Sequence, residues 1–493
     1  MGKRDSKASI ILIGCGPHAR RVYLPALHGI NTINLELVID LESQSSAVQN
    51  AIKLFEHTEL WLIPPFKDSM PSEVAYKLSN FVRERKISGV IIATEPLVHK
   101  AYAEWALKNG LNILMDKPIS TRANAISELS SAEGILHDYL TLLENYKRLQ
   151  LEKETIFMIN SHRRFHKGFQ FVMDEIHEIG QKTNCPITFI HAYHSDGQWR
   201  LPNEIVTQEY HPYCSGYGKA SHSGYHIFDT IYQFYKGSAV HEKFADTMEI
   251  VSSLIQPNGF FTQFNEKDYL NVFGEKYNLV NQYNDVQLKQ MCSAFGEIDL
   301  SSIITLKRNE EAIANFNVNL IHNGFAGRTW LNPGNDLYKG NGRIKHESYN
   351  IQQGPFQNIQ IHAYQGYDKH DEKNGEEAYL GGKNHFEIYI FRNPLVAKTS
   401  KQPQVYHLRD LIDKQVFGDN SMITMELVKF KVVQEFADYL TGIRTKESIN
   451  SQIEDHLIPV QIMSGIYASN ILRKRGGNNI VKSDFGLAKS SPI

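Results

Sequence analysis

The sequence predicts an α/β fold in two parts: a doubly wound parallel sheet at the N-terminus, then an α+β domain on a large, mostly antiparallel open sheet. Three observations carry this. Ile10–Ile13 form an unbroken apolar run closed by Gly14-Cys15-Gly16-Pro17-His18-Ala19; such a run reads as a parallel strand buried on both faces. Beyond it, apolar runs alternate with helical periodicities as far as Ile159, the order of a right-handed βαβ sheet. From Ile187 onward, strands with period-two alternation follow one another without long helices between them, as in Phe386-Glu387-Ile388-Tyr389-Ile390, which marks an antiparallel sheet with one covered face.

The first strand and its turn fit G-x-G-x-x-G/A, a Rossmann fingerprint. Gly14 permits the tight turn, Gly16 lets the backbone approach a pyrophosphate, and Ala19 keeps the next helix close. That helix, opened by Pro17 and His18, aims free N–H groups and its positive dipole end at the ligand. The second strand, Leu35–Ile39, ends in Asp40. An acidic side chain there accepts hydrogen bonds from ribose hydroxyls and repels a 2′-phosphate. Leu41 and Glu42 follow, with no arginine to receive that phosphate, so NAD is expected in preference to NADP.

Leu60–Ile63 is the third strand, stopped by Pro64-Pro65, and residues 72–86 are helical with Val74, Leu78 and Val82 on one face. The fourth strand, from Gly89, ends in Thr94-Glu95-Pro96. A helix from His99 to Asn109 follows, closed by Gly110, a C′ glycine. The fifth strand, Leu111–Met115, ends in Asp116-Lys117-Pro118. After a long helical stretch, residues 123–153, comes the sixth strand, Thr155–Ile159. Ligands sit outside the carboxyl ends of such strands. The expected cofactor-binding set is therefore Gly14, Gly16, Pro17, His18, Ala19, Asp40, Thr94, Pro96, His99, Asp116 and Lys117.

The expected boundary divides residues 1–160, the dinucleotide domain, from a second domain at 161–493, to which the resemblance described below assigns substrate binding and oligomerisation. The second domain takes strands at 187–194, 247–255, 300–307, 312–320, 343–351, 359–364 and 386–391, and two closing helices within 423–472. A polar turn at Gly218–Gly224 enters a helix at about 225–235. Tyrosines and histidines between Tyr193 and His211 suggest a polar, aromatic pocket, which the resemblance described below makes a sugar pocket. Two Asn-, Tyr- and Gly-rich stretches, 256–290 and 322–383, exceed routine loops and are expected to be functional insertions or poorly ordered.

With 52 basic against 54 acidic residues and a net charge of −2, neither nucleic acid nor an anionic membrane is an expected partner. No apolar run reaches the ~18 residues of a membrane span, and no secretory segment precedes the first strand. Four scattered cysteines without C-x-x-C spacing fit a cytoplasmic chain and no cysteine zinc site.

With Gly14-x-Gly16, Thr94-x-Pro96, Asp116-Lys117-Pro118 and Gly224-Tyr225-His226-Ile227-Phe228-Asp229 taken together, the chain resembles the glucose–fructose oxidoreductase, inositol dehydrogenase and rhizopine-catabolism (Gfo/Idh/MocA) family. The resemblance implies NAD(P)-linked oxidation or reduction of a sugar, inositol or related polyol. It also implies a homodimer or homotetramer formed through the open face of the second sheet. Asp116-Lys117-Pro118 stands where the family has Glu-Lys-Pro. His226 matches the histidine of its Asp-x-x-x-His pair, and His222 stands where that aspartate would be. Arg163 and Arg164 match the arginine after the sixth strand.

The implied substrate-binding set is Lys117, Arg163, Arg164, His222 and His226, with Lys117, His226 and His222 catalytic. Alcohol oxidation needs a base for the hydroxyl proton and a charge for the developing alkoxide. His226 suits the first, because imidazole titrates near ~6.5, and Lys117 the second. Asp229 either orients His226 or, as the blander expectation, sits solvated on the first helical turn. His222 and His226 could share a zinc ion, but no third ligand stands at a motif spacing, so no metal is expected. Two alternatives stay open: an NAD-using glycosidase of the same superfamily, and a non-catalytic dinucleotide-binding regulator.

Overall fold

In a computed structural model, residues 7–209, 211–238, 241–331, 342–366, 384–398, 402–411 and 425–486 are described. They form two compact units. The first comprises Met1–Thr121, Ile135–His166 and Met422–Val460, and the second Arg122–Gly134, Lys167–Ser421 and Gln461–Ile493.

The first unit holds six parallel strands: β1 (Ala8–Ile13), β2 (Ile33–Leu41), β3 (Glu59–Ile63), β4 (Gly89–Ile92), β5 (Asn112–Met115) and β6 (Phe157–Ile159), in the order β3-β2-β1-β4-β5-β6. The order reverses at β1, whose neighbours are β2 and β4. This topological switch point opens the ligand crevice of a doubly wound sheet. Ile10 to Ile13 are fully buried, as their continuous apolar run requires. The helix after β1 departs from expectation, because it breaks at Val22 into Pro17–Arg21 and Tyr23–Gly29. Pro25 is the cause: it has no N–H for the carbonyl of Arg21, and its ring crowds that carbonyl.

The single cut at residue 160 gives way to a chain that returns to the first unit. Val428, Val432, Val433 and Phe436, on the helix Met425–Leu440, share one core with Ile10, Leu12, Ile91 and Leu114. A side chain at Gly89 would lie 2.9 Å from the Phe436 ring, so the glycine lets that helix lie against β4. Ser451 then pairs with β6, its carbonyl accepting from Ile159 N–H at 2.9 Å and its hydroxyl donating to Ile159 O at 2.7 Å. The second closing helix, Leu457–Lys474, begins in the first unit and continues in the second.

The second unit is built on nine strands: β7 (Phe189–Ser195), β8 (Thr247–Ile255), β9 (Asp299–Arg308), β10 (Glu311–Ile321), β11 (Lys345–Gln353), β12 (Gln357–Gln365), β13 (Asn384–Arg392), β14 (Gln404–His407) and β15 (Val481–Asp484). Their order is β14-β13-β12-β11-β7-β10-β9-β8-β15, antiparallel throughout except that β7 and β10 run parallel. Alternation sets the register: in β10, Ala314, Phe316, Val318 and Leu320 are buried while the asparagines between them are not. Phe169 on the helix Lys167–Thr183 and Phe234 on the helix Tyr225–Gly237 meet Tyr349 of β11 edge-on at 5.8 and 5.7 Å, which places these helices on the apolar face.

The stretch 256–290 is a folded helical lobe. Asn265 and Asn284 cap the helices Glu266–Phe273 and Asp285–Met291 through capping boxes with Asp268 and Gln287. Tyr269 stacks on Tyr277 at 4.8 Å and on Trp199 at 6.2 Å. Of the second insertion, residues 322–331 and 342–366 fall within the described chain and supply β11 and β12; the rest lies outside it. Among the described residues, no helix is long and apolar enough to cross a membrane.

Candidate functional site

In the first unit, the strand exits are tied edge to edge. Gly14 N–H donates to Ile39 O at 2.8 Å, Ala93 N–H to Ile13 O at 2.7 Å, Asp116 N–H to Ile92 O at 2.8 Å and Asn160 N–H to Met115 O at 2.8 Å. The result is one row of strand-end residues along the carboxyl edge of the sheet. Gly14 has φ +88°, and a Cβ on it would lie 2.7 Å from both C and O of Ala93. Only glycine fits. Gly16 is the opposite case: a Cβ there would meet nothing within 4 Å, and this open space is what a pyrophosphate needs beside the turn. Asp40 closes the crevice. Its Oδ2 accepts from Cys15 N–H and its Oδ1 from Leu41 N–H, both at 2.7 Å. An ionised carboxylate offers about four acceptor positions, so two remain for a ribose diol. These residues fit a dinucleotide.

Lys117 is half-buried and precedes a cis bond to Pro118. His99 was expected to touch the cofactor, but its ring is wholly buried and committed to backbone: Nδ1 faces Pro118 O at 2.8 Å and Nε2 faces Thr94 O at 3.1 Å. It therefore positions two crevice loops against each other. Burial pushes its imidazole down, against the pull of those carbonyls and of Asp116. Asp116 Oδ1 accepts from Asn160 Nδ2 at 3.1 Å, and the same amide donates to the Tyr23 hydroxyl at 2.6 Å. Burial, then the charge of Asp116, pushes the Tyr23 phenol far up, so it stays protonated. His18 stands edge-on to Tyr23 at 5.6 Å, with Nε2 3.7 Å from Asp116 Oδ2. The acid of the Asp-Lys-Pro motif thus anchors the loop that presents Lys117.

Of the two arginines after β6, Arg164 proves structural. It donates to Asp455 Oδ2 at 2.7 Å and to Asn450 O at 3.0 Å, pinning the returning chain instead of a substrate. Arg163 is buried in the same turn.

In the second unit, residues 220–224 form a π-turn that runs directly into the helix Tyr225–Gly237; such turns recur at functional sites. Two glycines allow the close approach that shapes it. A Cβ on Gly218 would lie 1.9 Å from Glu297 O, and one on Gly296 1.9 Å from Tyr217 O. Glu297 holds the turn, its carbonyl accepting from Lys219 N–H at 2.9 Å and its Oε1 from Ala220 N–H at 2.7 Å. Burial pushes the Glu297 carboxyl up to about 7. The turn presents His222 in an aromatic cage: it stacks on His211 at 4.5 Å, with Tyr217 at 5.3 Å and Tyr213 at 5.5 Å. His226 is half-buried one turn on. Asp229 is 1% exposed, not solvated as expected. The stretch from Tyr193 to His211 divides: Tyr193 faces His346 on β11 at 5.4 Å, whereas His211 joins the cage.

Beside the cage lies a polar cluster that the sequence reading missed. Asp196 leaves the end of β7, and the Lys219 ammonium forms a buried ion pair with its Oδ2. Lys219 Nζ also donates to His194 Nδ1 at 3.1 Å. His322 leaves the end of β10 with Nδ1 3.5 Å from Asp196 Oδ2. Arg343 Nε donates to Asp196 O at 3.2 Å. Burial opposes the charge on Asp196, but Lys219 and then His322 outweigh it and hold the carboxyl well below the usual range. Burial pushes His322 down to about 4 and, with Lys219, pushes His194 well below 6.5. Tyr213 links the two groups, its ring 5.5 Å from both His222 and His322. The available signal was positional, because Asp196 and His322 directly follow paired parallel strands.

Among curated proteins none matches the sequence. Solved structures similar in fold include an oxidoreductase from Agrobacterium radiobacter in complex with NAD+, L-tartaric acid and magnesium. It has 12% identity and a TM-score of 0.56, covering 97% of this chain and 98% of that one. Another is a 3-ketoreductase from Actinomadura kijaniata in complex with NADP and TDP-benzene, with 12% identity, a TM-score of 0.53, and 94% and 97% coverage. The family model described as "Oxidoreductase family, NAD-binding Rossmann fold" matches residues 8–138. Those residues, which hold the Gly14 turn, Asp40 and Lys117, are the part of this chain that is similar to the Gfo/Idh/MocA family of NAD-binding oxidoreductases.

Proposed function

We propose that this protein is an NAD-linked dehydrogenase or reductase of a sugar, inositol or related polyol. The observation that carries the reading is the pair of glycines in the first unit: one that admits no side chain, and one that keeps open the space a pyrophosphate would fill. Asp40, with two acceptor positions remaining and no basic residue following it, favours NAD over NADP. A dinucleotide held by Gly14, Gly16 and Asp40 would supply the hydride-transfer chemistry. Lys117 stabilises the alkoxide by charge. His226 holds the hydroxyl proton, and His222 is its titratable neighbour where the family has an aspartate. The aromatic cage around His222 suits a sugar face.

The test is a panel of inositols and hexoses read at the nicotinamide absorbance, with dinucleotide affinity measured separately. Lys117→Met is expected to retain dinucleotide binding while turnover falls on the order of a hundredfold or more. His226→Ala is expected to behave likewise. Hydrolysis of a glycoside without net cofactor reduction would favour the glycosidase reading, and wild-type turnover in Lys117→Met would remove that residue from the site.

A further inference from the structure

We propose that His322 is a specificity-determining residue whose Nε2 accepts a hydrogen bond from a hydroxyl group of the substrate; the inference rests on the sugar or polyol reading above. Three observations converge on it.

The first is placement. β7 and β10 are the parallel pair of the second sheet, with Ser195 opposite Ile321. Asp196 and His322 are the next residues on each strand, so they leave the same edge side by side. The backbone there is pinned: His322 N–H donates to Asp299 Oδ1 at 2.8 Å, and Asp196 N–H to Ile321 O at 2.9 Å.

The second is orientation. Asp196 lies 3.5 Å from His322 Nδ1 and is itself held by Lys219. A carboxylate facing Nδ1 keeps the proton on that nitrogen and leaves the lone pair on Nε2. The His322 side chain is 7% exposed, and among the described residues Nε2 meets no hydrogen-bonding atom. A buried acceptor without a protein partner is satisfied by an ordered water or by a ligand, and its neighbours favour a ligand.

The third is company. Among the described residues, the side-chain amide of Asn323, the next residue, has both Nδ2 and Oδ1 buried without a partner, and so has the Tyr217 hydroxyl, whose ring is 5.3 Å from His222. Tyr213 stands between His322 and His222. Acceptors and donors of this kind, next to an aromatic cage, match a molecule with several hydroxyls.

Why an acceptor and not a second base? Burial pushes the imidazole down to about 4, so at pH 7 roughly one ring in a thousand carries the second proton. A group so reluctant to charge is suited to accepting a hydrogen bond and poorly suited to taking the proton itself.

The experiment compares wild type, His322→Phe and His322→Gln across inositols, hexoses and their mono-deoxy analogues, reading kcat/KM at the nicotinamide absorbance and NAD affinity by fluorescence. In His322→Phe, kcat/KM on the best substrate is expected to fall about 10- to 100-fold while one mono-deoxy analogue is unaffected, so the preference between the two disappears. His322→Gln, whose amide oxygen reaches a similar place, is expected to recover part of the preference. NAD affinity is expected to stay constant in both. In parallel, the imidazole ¹⁵N resonance of wild-type His322, assigned by its loss in His322→Gln, is expected to show an unprotonated Nε2 that shifts on saturation with the best substrate. This readout stands even if the phenylalanine variant does not fold. A uniform loss across the panel, no loss at all, or a resonance indifferent to substrate would overturn the inference while leaving the dehydrogenase reading intact. A wild type that turns over nothing in the panel would overturn that reading, and this inference with it.

Discussion

Replacing each of the two glycines in the β1 turn by alanine separates folding from binding. Gly14→Ala puts a side chain at φ +88°, 2.7 Å from Ala93 C and O and 2.8 Å from Thr94 N. The left-handed backbone costs about 1–2 kcal/mol for a residue with a Cβ. The contact is with backbone, which cannot rotate away, so the ends of β1 and β4 must part, at about 1–3 kcal/mol for forced overpacking. Together these give roughly 2–5 kcal/mol, a fall in the thermal midpoint on the order of 5–15 °C for a unit of this size. Gly16→Ala has φ −68° and no atom within 4 Å of the new methyl group. Its midpoint without ligand should match wild type, while its NAD dissociation constant should rise at least about tenfold, roughly 1.4 kcal/mol, because the methyl group occupies the approach to the turn. The assay is differential scanning fluorimetry with and without NAD, plus direct titration. A Gly16→Ala protein that binds NAD as wild type does would refute the argument, as would a Gly14→Ala protein with an unshifted midpoint.

Asp40→Ala removes the acceptor of the Cys15 and Leu41 N–H groups. NAD affinity is expected to drop about 10- to 100-fold, charge-assisted bonds being the strong ones, with NADP affected less; titration of both dinucleotides decides it. Arg328→Met leaves Glu204 buried without the guanidinium that now grips both its oxygens at 2.6 and 2.8 Å. A loss of about 3–5 kcal/mol is expected, partly recovered in Arg328→Met/Glu204→Gln, as read from urea unfolding. His322 titrates near ~6.5 when unfolded and near about 4 when folded, so between those values the unfolded chain binds more protons. Stability from this group is therefore complete above pH ~6.5 and lost as pH falls toward 4, by up to about 3 kcal/mol. His322→Gln should flatten that part of the urea-midpoint profile, and parallel profiles would contradict the assignment.

Local signals made the first sheet legible. Ile10–Ile13, closed by Gly14-x-Gly16, read as a strand buried on both faces, and Asp40 and Lys117 stand at strand ends where their neighbours in sequence already say so. What was missed depends on distance along the chain. Arg164 reads as a ligand-binding arginine until Asp455, 291 positions away, takes it. Asp196 and His322 are unremarkable alone and meet only because β7 and β10 pair in parallel. The edge strands β14 and β15 are four residues each, too short for alternation to register. The stretch 256–290 was expected to be a functional insertion or poorly ordered because its Asn-, Tyr- and Gly-rich composition outweighed the helix starts at Asn265-x-x-Asp268 and Asn284-x-x-Gln287.

The helix Met425–Leu440 has a consequence for synthesis. The six strands are all made by Ile159, but the residues that cover their core around Val432 and Phe436 emerge roughly three hundred positions later, a delay of tens of seconds at ribosomal rates. During that interval a sheet with apolar residues on both faces waits half-clothed, within reach of other nascent chains. The first unit is thus the first to be translated and among the last to be finished, and chaperone demand during translation should concentrate on it, not on the larger second unit.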